Sequence, residues 1–182
     1  MASGGNYVWN VTSDTTAEVN STTGIAVFSD LVLREGSIVN FQYVVNTFAT
    51  QNYKVPSEDA DINTLSVRVK ANESSTTSDL YNLVDTITGL SANSRVYFLA
   101  EGEDMRYEVK FGDDSVGRAL KDGEVVLFEY LVTSGGDAND VDNFSYVGRM
   151  TDTLSQSYSP AAVTLTKVAR SQNGSAAETI ES

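Results

Sequence analysis

The stretch from Arg95 to Thr133, RVYFLAEGEDMRYEVKFGDDSVGRALKDGEVVLFEYLVT, constrains the fold more than any other part of the chain. Two alternating runs, Arg95–Ala100 and Met105–Phe111, flank the acidic turn Glu101–Asp104. In the second run Met105, Tyr107, Val109 and Phe111 fall on one face, and Arg106, Glu108 and Lys110 on the other. Side chains alternate across a strand, so this period of two predicts a strand with one wet face. A glycine-punctuated connection, Gly112 to Gly123, then leads to Glu124–Thr133. That last run is almost wholly apolar and suits a strand buried on both faces. The expectation is three antiparallel strands around one long loop, with the rest of the chain packed on them.

A chain of 182 residues fits one domain, or one domain with a small lobe, and buries enough surface to need no covalent staples. It has no cysteine, which removes disulfides, thiolate metal sites and a cysteine nucleophile. It has no histidine either, which removes the commonest general base, the commonest zinc ligand and serine–histidine catalysis. The net charge of −13 repels phosphate backbones, so neither nucleic acid nor an anionic membrane is an expected partner. No apolar run approaches the ~20 residues of a membrane-spanning helix. Met1–Gly5 lacks the basic and apolar regions of a signal peptide. The Asn-x-Ser/Thr sequons at Asn10, Asn20, Asn72, Asn143 and Asn173 read as chance in a chain rich in serine, threonine and asparagine.

Along the chain, Tyr7–Val11 predicts a first strand, and Ile25–Phe28 and Leu31–Arg34 predict short β runs. Ser37–Asn46 alternates, with Val39, Phe41, Tyr43 and Val45 on one face. Gln51–Val55 reads as a strand stopped by Pro56, which cannot donate to a ladder. Leu65–Lys70 places Leu65, Val67 and Val69 inward. Asp79–Leu90 has Leu80, Leu83, Val84 and Ile87 at helical spacing, but its threonine and asparagine content favours an extended path. Phe144–Val147 and Ala161–Val168, the latter opened by Pro160, read as the last strands. The expected class is all-β: an antiparallel β-sandwich or a mixed β-barrel-like domain with long loops and little helix. The expected divisions are an N-terminal tail with a first edge strand (1–24), a β domain (25–170, divisible near residue 75) and a C-terminal linker (171–182).

Four groups of residues invite a chemical reading. The acids Glu101, Glu103, Asp104, Asp113 and Asp114 could supply the carboxylate pair of a glycoside hydrolase, but turn carboxylates beside glycine are usually wet and lack the burial that an acid catalyst needs. Asp137, Asn139, Asp140 and Asp142 suggest calcium. Counted as an EF-hand, however, positions 5, 6 and 12 fall on Val141, Asp142 and Gly148 and fail. Gly112 and Gly117-Arg118 loosely suggest a phosphate cradle, without the Gly-Lys-Ser/Thr ending that opens a helix. Those glycines read as structural, with Leu120 anchoring the loop and Asp122-Gly123 making a turn before the next strand. The aromatics Tyr97, Phe98, Tyr107, Phe111, Phe128 and Tyr130 read as core and cross-strand pairs. An alternative function, a carbohydrate- or receptor-binding β-sandwich of a virion surface, rests on the Tyr/Asn/Ser/Gly-rich stretch Asn143–Tyr158, with Tyr146 and Tyr158 as its aromatic platforms.

One ordered set of residues goes further. Tyr107-Glu108-Val109-x-Phe111-Gly112-Asp113-x-x-x-Gly117-x-x-Leu120-x-Asp122-Gly123, followed by Tyr130-x-Val132-Thr133-x-Gly135, resembles the baseplate wedge proteins of T-even-type contractile-tailed phages and the wider baseplate J-like family. Val96–Leu99 with Glu101, Tyr53-x-Val55-Pro56, and Asp61-x-x-Thr64-Leu65-x-Val67-x-Val69 fit the same pattern upstream, and Ala176–Ser182 resembles the entry to a following domain. The resemblance spans about Ile25 to Ser182, and implies an excised middle module of a longer protein. It implies a structural role, in which the full-length protein forms a homo-oligomer and binds other baseplate wedge proteins to build the ring around the tail hub. The implied location is the virion tail baseplate, after synthesis in the host cytoplasm. It transfers no catalytic residue, no metal and no cofactor.

Overall fold

The computed structural model describes residues 6–13, 15–102, 104 and 106–175. Glu103, Met105 and the Ala176–Ser182 segment named above lie outside them. The described chain is nearly all β. Its strands are β1 (Trp9–Val11), β2 (Leu33–Glu35), β3 (Ser37–Val44), β4 (Tyr53–Lys54), β5 (Ala60–Lys70), β6 (Asp79–Leu83), β7 (Val96–Glu101), β8 (Tyr107–Phe111), β9 (Val125–Val132), β10 (Met150–Thr151) and β11 (Ser157–Tyr158). Two short 3₁₀ turns, Gly135–Ala138 and Pro160–Ala162, complete it. The chain divides into two compact units. One contains the residues up to Thr12 and Leu33–Thr133, and the other Ser13–Val32 and the chain from Ser134 onward.

The first unit is built on a seven-stranded sheet in the order β3-β9-β5-β6-β7-β8-β4. Only the β6–β7 pair is parallel; the remaining neighbours run antiparallel. The sheet curls until its two end strands meet. The Tyr43 hydroxyl donates to the Lys54 carbonyl at 2.8 Å, and the Tyr43 and Tyr53 rings sit edge-to-face at 5.5 Å. The result is a nearly closed, barrel-like sheet whose last seam is joined by side chains rather than by a backbone ladder. Of the two expected architectures, the barrel-like one describes this unit.

Alternation fills the inside. Val67 and Val69 of β5, Tyr81 of β6, Tyr97 of β7, Val109 of β8 and Val126, Phe128 and Tyr130 of β9 form a single buried cluster. The opposite face of β9 is covered at Val125 and Leu131, as expected for a strand apolar on both sides. Edge-to-face contacts run through the interior from Phe128 to Tyr43 (5.8 Å), Tyr43 to Tyr53, Tyr53 to Phe111 (5.4 Å) and Phe111 to Tyr81 (5.6 Å). Such pairs contribute about 0.5–1.5 kcal/mol each beyond the burial itself. Burial also holds the phenol groups of Tyr43, Tyr53, Tyr81, Tyr97 and Tyr130 above their ordinary pKa. An irregularity in β5 between Asp61 and Ser66 bends the sheet, and Thr64 spans it by donating to the Asp61 carbonyl (2.6 Å) and accepting from the Leu131 N–H (2.9 Å).

Two expectations change in this unit. β7 and β8 pair as a hairpin around the acidic turn, but β9 does not join them. It inserts between β3 and β5, so the Gly112–Glu124 connection crosses to a different part of the sheet instead of closing a local meander. The ambiguous Asp79–Leu90 segment is extended, as β6, only as far as Leu83. Its leucines at helical spacing, Leu80 and Leu83, stay half exposed while Tyr81 between them is buried.

The second unit lacks that alternation. Phe144–Val147 and Ala161–Val168, expected as strands, form none. Pro160 instead occupies the first position of a 3₁₀ turn, where its fixed φ and missing N–H cost nothing, and the Ser159 side chain accepts from the Ala161 N–H. What β structure there is comes from the two-residue pair β10–β11 and one isolated bridge, Val19 to Ala26. The expected run Ile25–Phe28 contributes no more than that bridge.

Candidate functional site

The Gly112–Glu124 connection holds six of the resemblance residues, Gly112, Asp113, Gly117, Leu120, Asp122 and Gly123, and it is a latch made of hydrogen bonds to the backbone. Asp113 Oδ1 accepts from the N–H groups of Ser115 (2.9 Å) and Val116 (3.0 Å), which keep its carboxyl below the usual range. Asp114 Oδ1 accepts from the Ala119 N–H at 2.9 Å. The Gly117 N–H donates to the Ser91 carbonyl and the Arg118 N–H to the Ser94 carbonyl, fastening the loop to the turn ahead of β7. Gly112 and Gly117 approach so closely that a Cβ on Gly112 would stand 2.5 Å from the Val116 carbonyl oxygen, and Gly117 adopts φ +79°. The loop therefore does cradle an anion, but the anion is its own Asp113 carboxylate. The amides that a phosphate would use are already engaged.

The far end of the latch grips the turn that follows β3. Asp122 Oδ1 accepts from the Thr47 N–H at 3.1 Å, and the Gly123 N–H, at φ +79°, donates to the Val45 carbonyl at 2.9 Å. Leu120 packs against the core, as do Tyr107 and Phe111, while Tyr130 is fully buried. Beneath the loop Arg118 and Glu124 form a largely enclosed ion pair. Arg118 Nη1 donates to the Tyr81 hydroxyl at 2.6 Å and to Glu124 Oε2 at 3.2 Å, and Nη2 reaches Glu124 Oε1. Hydrogen bonding to Glu124 raises the Arg118 pKa, so the guanidinium stays charged at any ordinary pH. Glu124 also accepts from the Lys121 N–H at 2.8 Å. Neither Tyr81 nor this pair stood out in the sequence. The only available signal was an acid at the head of an apolar strand, six residues after an arginine.

The latch presents a side chain that the sequence reading missed. Phe48 is 90% exposed at the tip of the β3–β4 turn. The turn holding it is over-determined. The Phe48 N–H donates to Asn46 Oδ1, the Asn46 N–H to Gln51 Oε1, and the Thr47 N–H to Asp122. Beside it runs β3, the terminal strand of the sheet, Ser-Ile-Val-Asn-Phe-Gln-Tyr-Val, without a single charge. Val45 exchanges backbone hydrogen bonds with Gly123 and Glu124, so the odd-numbered residues of β3 address β9. The Val44 carbonyl accepts from Gln51 Nε2 at 2.8 Å on the other side. The backbone groups of Ile38, Asn40 and Gln42 share that outer side, which the two-residue β4 meets through side chains and along which no strand of the sheet forms a ladder. Ile38 (54%), Phe41 (40%) and Val44 (44%) add exposed apolar surface. Sheet edges are normally blunted by lysine, proline or bulges, and this one has none of these along its eight residues.

The other candidates resolve into local structure. Asp104 pairs with Lys54 at 2.9 Å, its carboxyl lowered chiefly by that hydrogen bond; Glu101 ends β7 opposite Tyr107, and Asp113 and Asp114 serve the latch. A shallow cleft of ≈ 400 Å³ opens where β5 and β6 part beyond the Val67–Tyr81 pair, and Leu65, Leu83, Tyr97 and Leu99 line it, with no carboxylate among its lining residues. In the second unit Asn139 uses both ends of its amide on Gly174, and Asp142 pairs with Lys167 and Arg170. Asp137 lies in the 3₁₀ turn, and the Asp140 N–H donates to the Ser171 carbonyl. Among the described residues no group of three or more acids is placed to hold a metal ion. Tyr97, Phe128 and Tyr130 are core residues, and Phe98, on the opposite face of β7, is half-buried. The Tyr158 hydroxyl donates to Asp152 Oδ2 at 3.1 Å, and the Tyr146 ring lies over Gly148.

No protein-family model matches the chain, and no curated protein matches it significantly. Among the described residues, no helix is long and apolar enough to cross a membrane.

Proposed function

We propose that the chain is a non-enzymatic assembly module, a structural component of a phage-type baseplate wedge that self-associates and binds other wedge proteins to build the ring around the tail hub. The observation that carries this reading is Phe48, a lone aromatic fully displayed on a turn that three side chains hold in place. A residue pre-ordered in this way loses little entropy on docking, which is what an interface anchor requires. The uncharged, apolar edge of β3 offers a neighbouring chain backbone hydrogen bonds by strand addition, while the net charge of −13 elsewhere disfavours wrong contacts and phosphate-bearing partners. The resemblance residues support the reading from another side, because Asp122 and Gly123 position the turn that bears Phe48. In this reading the protein resides in the virion tail baseplate, needs no cofactor and carries no catalytic residue.

The test is light scattering of the protein with candidate wedge proteins, followed by electron microscopy of the assemblies. Phe48→Ala is expected to weaken uptake on the order of 30-fold, the cost of an interface hot spot, without lowering thermal stability. Absence of the wild-type protein from every ring or wedge complex would sink the proposal.

A further inference from the structure

The chain contains one Asn-Gly dipeptide, Asn173–Gly174. Asparagine is thermolabile, and most so before glycine, where no side chain shields the next backbone nitrogen. That nitrogen attacks the asparagine Cγ. The N–Cγ bond forms, the Cγ–Nδ2 bond breaks, and ammonia leaves with the proton of the backbone N–H. Water then opens the cyclic imide to aspartate or isoaspartate. Asn173 is exposed and adopts φ +70°, so its side chain is open to this chemistry.

The fold nonetheless requires glycine at 174, because a Cβ there would collide with the Gly135 carbonyl. It also occupies the attacking atom. The Gly174 N–H donates to Asn139 Oδ1 at 2.9 Å, and Asn139 Nδ2 donates back to the Gly174 carbonyl at 2.9 Å. Ser171 braces the same pairing. Its Oγ accepts from the Val141 N–H at 2.7 Å and donates to the Ala138 carbonyl at 2.6 Å, while the Asp140 N–H reaches the Ser171 carbonyl at 2.9 Å. A nitrogen whose proton is held in a good hydrogen bond, in a backbone that is clamped from both sides, is a poor nucleophile.

We propose that Asn173 is a deamidation site held in check by the Asn139 clamp. Isoaspartate at 173 would add one carbon to the main chain, draw Gly174 out of register with Asn139 and leave a carboxylate in place of an amide. The reaction would then release the 138–141 to 171–174 pairing irreversibly.

Peptide mass spectrometry of the full-length chain, aged at mildly alkaline pH, tests this against a free peptide spanning Arg170–Ser175. The wild type is expected to deamidate at Asn173 at least tenfold more slowly than the peptide. Asn139→Ala should accelerate it about tenfold, as expected when two hydrogen bonds that resist local opening are lost. Ser171→Ala should give a smaller acceleration. Asn139→Asp, which keeps the acceptor for the Gly174 N–H but loses the donor to the Gly174 carbonyl, should accelerate it less than Asn139→Ala and so separates protection of the attacking nitrogen from general loosening. A wild-type rate equal to that of the peptide, or Asn139→Ala and Ser171→Ala rates equal to wild type, would overturn the proposal.

Discussion

The two units are held by different physics. Among the described residues, every buried hydrophobic except Ala138 belongs to the first unit. There the sheet encloses rings in edge-to-face contact, and the one buried charged residue described, Glu124, enters paired with Arg118. The second unit leaves Val147, Leu154 and Val168 almost fully exposed and is tied by polar clamps: Asn139 on Gly174, Ser171 on Ala138 and Val141, and Asp142 between Lys167 and Arg170. Area removed from water stabilises at about 25 cal/mol per Å² and is shared by many residues, whereas a hydrogen bond contributes about 1 kcal/mol and is local. The first unit should therefore unfold cooperatively, and the second should open in pieces.

The sharpest way to break this contrast is to remove one side chain from each unit. Phe128→Ala empties one end of the aromatic row and should cost about 3–5 kcal/mol in urea denaturation, the range for deleting a buried phenylalanine. Leu154→Ala, on a side chain 86% exposed, should fall within about 0.5 kcal/mol of wild type. Comparable losses from the two variants would mean that the second unit owns a core as real as the first.

The next test concerns the enclosed ion pair. Glu124→Gln leaves Arg118, whose side chain is 23% exposed, without its counter-charge, and should cost about 2–3 kcal/mol, somewhat below the loss at a fully buried pair. Replacing both partners, as Arg118→Met with Glu124→Leu, should recover most of that loss, because neither charge is then desolvated. A double variant as unstable as the single one would show that the pair orders the latch through more than mutual neutralisation, and amide exchange at Gly117 and Arg118 would locate the effect.

How much of this could be read from the sequence follows the same division. Wherever one face is packed and the other wet, period two survives in the residues. The inward sets Leu65, Val67, Val69 and Tyr107, Val109, Phe111 lie where alternation puts them, and β9 is covered on both faces as its composition requires. Strand order was not legible, because β9 pairs with β3 and β5 through contacts that no local pattern encodes. The glycines of the Gly112–Gly123 loop were legible as backbone devices. Their target was not, since Asp122 meets Thr47, a residue 75 positions away, and no local pattern marks the turn that displays Phe48. In the second unit Phe144–Val147 and Ala161–Val168 have β-type composition but no buried face to select it, and Ser159 with Pro160 started a turn instead. The six resemblance residues within the latch serve its geometry and not chemistry.

The smallest effect is expected from pH, and its alkaline arm falls mainly on the first unit, which holds five raised phenols against Tyr158 alone in the second, raised by its hydrogen bond to Asp152. With no histidine, no ordinary side chain titrates between about pH 5 and 8, so stability should be flat there. The Asp104, Asp113 and Asp152 carboxyls are lowered in the folded state, the first two in the first unit and the third in the second, each by hydrogen bonds that it accepts. Their contribution is present above the unfolded value of about 3.9 and is lost as pH falls through the lower folded values. The phenols of Tyr43, Tyr53, Tyr81, Tyr97 and Tyr130 are raised by burial, and all five belong to the first unit. Their contribution is complete below about pH 10 and is lost as pH rises through the folded values, because the unfolded phenols ionise first. Thermal melts followed by tyrosine absorbance should therefore hold level from pH 5 to 8 and drop on the alkaline side with the barrel. Loss of the Asn139–Gly174 amide protection at a lower alkaline pH than the barrel melt would show the second unit opening on its own. Simultaneous loss at every pH would erase the distinction between the two.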